Sequence, residues 1–312
     1  MCLYPKLFIN RKYTRTKKNG GKIPPVLDNR TLYVPIACGN CIECLKQKAR
    51  EWQVRLTEEL KINKYAYFIT LTFSNEELQK LCEITKNECN AVATLAVRRF
   101  LERWRKKYKK SLKHWLVTEL GHENTERIHL HGIIFSDFEI TQEEFAQFWK
   151  YGNILLGTYC NFKTINYIVK YVHKIDTDHK NYKPIILCSK GIGSNYTKRL
   201  IPKRLHKFDG KNTIEYYRLP NGVKINLPIY YRNKFWNEEQ REQLWLHRLD
   251  RNERYVMGNK ITNLNTEEGI EKYNDILKTA QEMNKKLGFG DDSKQWQKKD
   301  YNVTLKMLNQ SK

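Results

Sequence analysis

The chain has 312 residues, 40% of them hydrophobic, and its 57 Lys and Arg against 34 Asp and Glu give a formal net charge of +23. No apolar run is long enough for a transmembrane helix. No apolar stretch separates Met1-Cys2-Leu3-Tyr4-Pro5-Lys6 from Arg11-Lys12, so a secretory start is excluded and a cytoplasmic setting is expected. Such an excess of cations makes a polyanion the expected partner, nucleic acid before a membrane surface. A ribosome-bound structural protein would share this composition, so charge alone does not imply an enzyme.

In chain order, residues 1–37 read as an irregular or short-stranded cationic arm, because prolines 5, 24, 25 and 35 and Gly20-Gly21 break any helix. Residues 42–63 are predicted as an amphipathic helix on Leu45, Ala49, Trp52, Leu56 and Leu60. A strand over 65–73 sets Ile69, Leu71 and Phe73 on one face and Phe68, Thr70 and Thr72 on the other. The helix predicted over 91–110 ends in a cationic stretch. Arg98, Arg99, Arg103, Arg105, Lys106, Lys107, Lys109, Lys110 and Lys113 face one acid there, Glu102. That exceeds what a helix C-terminus needs and suits phosphate contacts.

A hairpin follows, with strands over 115–119 and 127–135 around a polar loop at 121–126. Then come a helix over 141–150 with Thr141 as N-cap and Glu144 three residues on, a strand near 154–159 and a helix over 163–174. This order reads as an α+β fold, a small antiparallel sheet with helices on one face. Beyond residue 180 come a strand over 185–188, a turn at Gly191-Ile192-Gly193 and a hairpin around Pro220-Asn221-Gly222. Two polar helices near 237–255 and 266–287 precede a loosely ordered end.

Three groups of residues carry chemistry. In Arg127-Ile128-His129-Leu130-His131-Gly132, a strand points His129 and His131 to one face and Leu130 into the core. Paired imidazoles on a rigid strand suit a divalent metal. Glu119, across the hairpin, is the preferred third ligand, with Glu123 and Glu126 of the loop as competitors. Two His and one carboxylate leave metal positions open for phosphate oxygens or water. Next, the helix carrying Tyr167, Lys170, Tyr171 and Lys174 places the two phenols one turn apart. A phenol has a pKa near 10 and is a poor nucleophile at neutral pH. A nearby ammonium, Lys170 or Lys174, favours the phenolate.

The third group is Cys38-Gly39-Asn40-Cys41-Ile42-Glu43-Cys44, three thiols just before a helix. Structural zinc wants four ligands. Cys2 is the expected fourth, with a histidine as alternative and an iron–sulfur cluster as the competing reading. Cys82, Cys89, Cys160 and Cys188 are isolated and read as packing residues.

Phe68-Ile69-Thr70-Leu71-Thr72-Phe73, then Glu119 with His129-Leu130-His131, then Tyr167 and Lys170-Tyr171 occur in this order. The series resembles the HUH endonuclease superfamily, and more closely the replication initiators of Microviridae, especially gokushovirus-like phages. The resemblance extends upstream to the cysteine motif and Trp52. It is good from about residue 35 to 175 and weaker through Gly191-Ile192-Gly193 and Leu227-Pro228-Ile229-Tyr230-Tyr231.

The resemblance implies an HUH-like antiparallel sheet with flanking helices, plus an N-terminal Cys-rich module and a mixed C-terminal extension. The expected domains are 1–62 (arm, Cys-rich module and helix), 63–180 (nuclease core) and 181–312 (accessory region). It implies a rolling-circle initiator, a site-specific endodeoxyribonuclease and strand transferase. His129 and His131 then match the metal pair, with Glu119 as third ligand, for Mg²⁺ or Mn²⁺; Zn²⁺ is expected at Cys2, Cys38, Cys41 and Cys44.

Tyr167 and Tyr171 match the initiators' two tyrosines and Lys170 the lysine between them. Attack by one leaves a 5′-phosphotyrosine and a free 3′-OH, and the stored bond lets the circle be rejoined without ATP. The expected partners are single-stranded and replicative-form origin DNA with host helicase and polymerase, in the bacterial cytoplasm and away from membrane. No Walker A pattern is present, so strand separation falls to a partner.

Arg98, Arg99, Arg103, Arg105, Lys106, Lys109 and Lys174 are the expected DNA contacts, with the cations at 198–207. The alternatives are a non-catalytic zinc-containing nucleic-acid binder, or a relaxase or single-strand transposase of the same superfamily.

Overall fold

The computed structural model describes residues 1–17, 19–121, 126–157, 159–176, 178–179, 182–293 and 298–310, without the side chains of 298 and 299. The strands are β1 (Lys6–Ile9), β2 (Tyr33–Ile36), β3 (Tyr65–Leu71), β4 (Lys113–Leu120), β5 (Ile128–Ser136), β6 (Ile154–Leu156), β7 (Ile186–Cys188), β8 (Tyr216–Arg218), β9 (Lys224–Asn226), β10 (Arg254–Val256) and β11 (Asn259–Ile261). The helices are α1 (Ile42–Leu60), α2 (Asn75–Thr85), α3 (Cys89–Tyr108), α4 (Gln142–Ala146), α5 (Phe162–Ile168), α6 (Leu200–Leu205), α7 (Ile229–Phe235), α8 (Glu238–Asp250), α9 (Glu267–Lys286) and α10 (Lys298–Gln310). The chain divides into two compact units, Met1–Glu51 with Thr197–Ser293, and Trp52–Tyr196 with Lys294–Lys312.

The second unit is built on a five-stranded antiparallel sheet in the order β6-β3-β5-β4-β7. Strand alternation gives it two chemically different faces. Tyr67, Ile69, Leu71, Leu116, Leu130 and Ile134 form one, packed with Leu81 of α2 and Val92, Phe100 and Trp104 of α3. Phe68, Thr70, Trp115, Val117, Glu119, His129 and His131 lie on the other. Within this unit, the second half of α1 and α5 cover that face. The Trp52 ring meets Trp115 edge-on at 5.7 Å, and Gln53 donates to Asn166 of α5 at 2.6 Å. Lys113 pairs at 2.6 Å with Glu59, whose other oxygen accepts from Gly193 N at 2.7 Å.

Helices therefore flank both faces, which corrects the expectation of one. The apolar stripe of α1 shows that the helix is half-buried but not which face of the sheet it meets. The C-terminal end also differs from the expectation of loose order. In α10, Tyr301 and Thr304 are buried, Leu308 packs on the main core, and the Tyr301 hydroxyl lies 3.0 Å from that of Thr94 in α3. That spacing of three and four is an amphipathic stripe, hidden in sequence by the polar residues around it. Thr141 caps α4 as expected, accepting from Glu144 N at 3.2 Å.

In the first unit, β1 and β2 pair antiparallel, Lys6 opposite Ile36 and Ile9 opposite Tyr33. The arm is tied down there by Lys12–Glu242 at 2.9 Å and Arg30–Asp250 at 2.8 Å. The hairpin expected around Gly222 is β8–β9, with Gly222 at φ +84°. A small core joins Leu3, Ile42, Val256, Ile261 and Ala280.

Candidate functional site

Register builds the site. Glu119 of β4 stands directly opposite His129 of β5, and Thr70 of β3 opposite His131. Leu130 between them is fully buried. The Glu119 Oε2 atom lies 3.1 Å from Nε2 of each histidine. One ligand atom from each of the three residues fits within 4.8 Å of the others.

The histidines are oriented from behind. His129 Nδ1 lies 3.2 Å from the Arg127 carbonyl, so that nitrogen carries the proton and a neutral ring turns the lone pair of Nε2 toward Glu119. His131 Nδ1 lies 3.0 Å from the Thr70 hydroxyl. Backing of this kind fixes ring orientation in metal sites. Cis ligands bound at about 2.1 Å to an octahedral ion lie about 3.0 Å apart, which the two 3.1 Å separations fit. The three residues could therefore hold a divalent metal ion.

Lys174 places its ammonium 2.5 Å from the second oxygen of Glu119. Burial acts to raise the pKa of Glu119, but hydrogen bonds from His129, His131 and Lys174 outweigh it and hold the carboxyl well below the usual range. It is a carboxylate at any working pH.

The tyrosines reach the cluster from α5. This helix starts at a capping box of Asn161 and Thr164 and ends at Ile168, then tightens into a 3₁₀ turn over Val169–Val172. The helix expected to run to 174 thus keeps both phenols on the sheet side while its last turn narrows. The hydroxyls of Tyr167 and Tyr171 lie 2.9 Å apart. The Tyr171 ring stacks on His131 at 4.6 Å, and Tyr167 meets Phe68 edge-on at 6.0 Å. Tyr167 is 49% exposed. Burial, the hydrogen bond with Tyr167 and the charge of Glu119 all push the Tyr171 phenol upward.

The structure thus gathers Glu119, His129, His131, Tyr167, Tyr171 and Lys174 on one face of the sheet. Lys170 stands apart: it is exposed, and among the described residues its ammonium forms no ion pair. Lys174, one turn on, makes the contact instead. Of the competing acids, Glu126 is 81% exposed and nears His179 at 3.9 Å, whereas Glu123 lies outside the described residues. Phe68, which separates His131 from Tyr167, was not singled out; its alternation with Thr70 was the available signal.

The basic residues of α3 lie elsewhere, because α3 packs on the opposite face. Arg103 is engaged there with the Phe148 carbonyl at 2.8 Å and the Tyr151 ring at 5.2 Å, and Arg98 with Asn309 at 2.9 Å. Arg99, Arg105, Lys106 and Lys109 are exposed.

Gly132, next to His131, allows β4 and β5 to approach. A Cβ there would sit 2.3 Å from the Trp115 carbonyl oxygen and 2.4 Å from Leu116 Cδ2. Gly132→Ala is expected to cost about 1–3 kcal/mol by overpacking. Urea unfolding should show a lower midpoint with an unchanged slope.

Residues 66–176, which span the whole cluster from Phe68 to Lys174, match the family model of the phage replication-associated protein ORF2. The chain is similar to the replication-associated protein VP4 of Bdellovibrio phage phiMH2K, 24% identical over 238 residues, 67% of this chain and 69% of that protein. It is also similar to the replication-associated protein ORF2 of Spiroplasma virus 4, 27% identical over 187 residues, 52% of this chain and 56% of that protein. No solved structure matches the chain. The resemblance to phage replication initiators read from the motifs is borne out by these relatives.

Proposed function

We propose that the protein is a phage rolling-circle replication initiator that nicks and rejoins origin DNA through a tyrosine ester. The observation that carries this reading is the placement of two tyrosine hydroxyls beside a two-histidine, one-carboxylate cluster on a rigid sheet. Nucleic-acid binding alone would require no such arrangement. The names of the relatives and the net charge of +23 support the same reading.

Glu119, His129 and His131 would hold Mg²⁺ or Mn²⁺, which when bound supplies Lewis-acid polarisation of the scissile phosphate. The chain supplies the nucleophile and its orientation. The oxygen of Tyr167 or Tyr171 bonds to phosphorus as the phosphorus–O3′ bond breaks. The phenol gives up its proton, the departing 3′-oxygen takes one, and the 5′-phosphate remains esterified to tyrosine. Return of the 3′-OH reverses the step and rejoins the strand without ATP. Lys174, on the remaining oxygen of Glu119, fixes the carboxylate. The hydrogen bond between the two hydroxyls lets one phenol orient the other.

The test is cleavage of labelled single-stranded DNA tiling the source genome, with Mn²⁺, followed by denaturing electrophoresis. A metal-dependent covalent protein–DNA band at one sequence is expected. Binding without any adduct, beside an active related initiator, would favour a zinc-containing nucleic-acid binder. Exposed cations of α3, and separately those of 198–207, would contact the DNA backbone without entering the chemistry. Neutralising Arg99, Arg105, Lys106 and Lys109 should weaken binding to all sequences alike. Each lost phosphate contact should flatten the salt dependence by about 0.7 in log–log slope for single strands.

A further inference from the structure

The cysteine motif takes no part in that chemistry, yet the first unit assembles it into a site. The Sγ atoms of Cys2, Cys38, Cys41 and Cys44 all lie within 4.8 Å of one another. The Cys38–Cys44 separation is 3.9 Å. Four sulfurs bound at about 2.3 Å to a tetrahedral Zn²⁺ lie about 3.8 Å apart along each edge. In a multi-iron cluster, cysteines on different irons are spread well beyond that distance.

Backbone N–H groups point at the sulfurs. Tyr4 N and Cys38 N donate to Cys2 at 3.4 and 3.2 Å, Asn40 N and Cys41 N to Cys38 at 3.5 and 3.3 Å, and Leu3 N to Cys41 at 3.5 Å. Donors of this kind stabilise thiolates, the form that binds metal. Gly39, at φ +78°, permits the turn that brings two of these N–H groups onto Cys38.

We infer that these four cysteines form a structural Zn²⁺ site, with Cys2 as the closing ligand. Four protein ligands leave no open position, so the ion is a staple and not a second catalytic centre. Its place in the fold explains the need. Cys2 precedes the fully buried Leu3, and Cys41 precedes Ile42 at the start of α1, whose N–H is held by Asn284 of α9 at 2.9 Å. Few fully buried apolar residues anchor this corner, and a core this small gains most from a metal cross-link. The ion ties the N-terminal segment and the start of α1 onto α9 and the β10–β11 hairpin.

The test uses the full chain without a metal-binding tag, grown with zinc, dialysed against EDTA and assayed by mass spectrometry of the metal. About one zinc per chain is expected to survive dialysis, and a mercurial should release it as the thiols are titrated. Cobalt substitution should give the thiolate-to-cobalt charge-transfer and tetrahedral d–d bands of a four-sulfur site. Cys2→Ser should reduce the charge-transfer intensity by about a quarter and make the metal labile to EDTA; Cys82→Ser should change neither. Iron in place of zinc, less than a tenth of an equivalent of metal, or an unaltered cobalt spectrum in Cys2→Ser would each overturn the inference. No DNA enters the experiment, so its outcome is independent of the nicking assay. The wild-type cobalt spectrum decides the matter even where a variant fails to fold.

Discussion

The double variant His129→Ala/His131→Ala is expected to lose at least about a thousandfold in the rate of adduct formation. Metal polarisation of a phosphate is worth several kcal/mol, and each 1.36 kcal/mol is tenfold in rate. The fold should survive, because both side chains lie on the site face and the adjacent Leu130 holds the core. Removing two imidazoles leaves Glu119 paired with Lys174, so no carboxylate is stranded. The checks are single-turnover cleavage with Mn²⁺ and isothermal titration of Mn²⁺ into the metal-free protein. Lost metal binding with an unchanged unfolding midpoint assigns the effect to the site. Wild-type cleavage by the double variant would remove the metal from the mechanism.

The double variant Tyr167→Phe/Tyr171→Phe should form no covalent adduct at all, while still binding DNA and Mn²⁺. Both rings remain, so the stack on His131 and the edge contact with Phe68 persist, and only the two hydroxyls are lost. Each single variant retains one nucleophile. Tyr171, the more enclosed phenol and the one raised by burial, by its bond to Tyr167 and by the charge of Glu119, should depend more steeply on pH. Its cleavage in the Tyr167→Phe background should rise as pH is increased, since the phenolate is favoured only at high pH. Removing the bond to Tyr167 lowers that barrier in part. Quench-flow cleavage across pH, with metal saturating, reads this directly.

The sequence exposed the cluster because short-range periodicity governs it. Alternation in β5 places both histidines on one face, and the hairpin allows only a few registers for Glu119. Tyr167 and Tyr171 needed only helical spacing, and they kept their shared side even though the helix tightens after Ile168. What the pattern did not contain was long-range. Whether Lys170 or Lys174 meets Glu119 depends on how that last turn is wound and packed, and the ammonium that arrives belongs to Lys174. The side of the sheet on which α1 lies is likewise fixed by packing, through Trp52 on Trp115. For α3, the charge at its end was evident, but the apolar residues that turn it away from the site were read only as a generic buried stripe. The polar composition of α10 concealed the contact of Tyr301 with Thr94.

The most direct measurement is to trap the adduct on a short origin oligonucleotide, digest it with trypsin and nuclease, and sequence the nucleotide-bearing peptide by mass spectrometry. Lys163, Lys170 and Lys174 divide the region so that Tyr167 and Tyr171 fall on different peptides. The account predicts a nucleotide linked through its 5′-phosphate to Tyr167, to Tyr171, or to each in a fraction of the molecules. A nucleotide on any other residue, or a 3′-phosphate linkage, would contradict it.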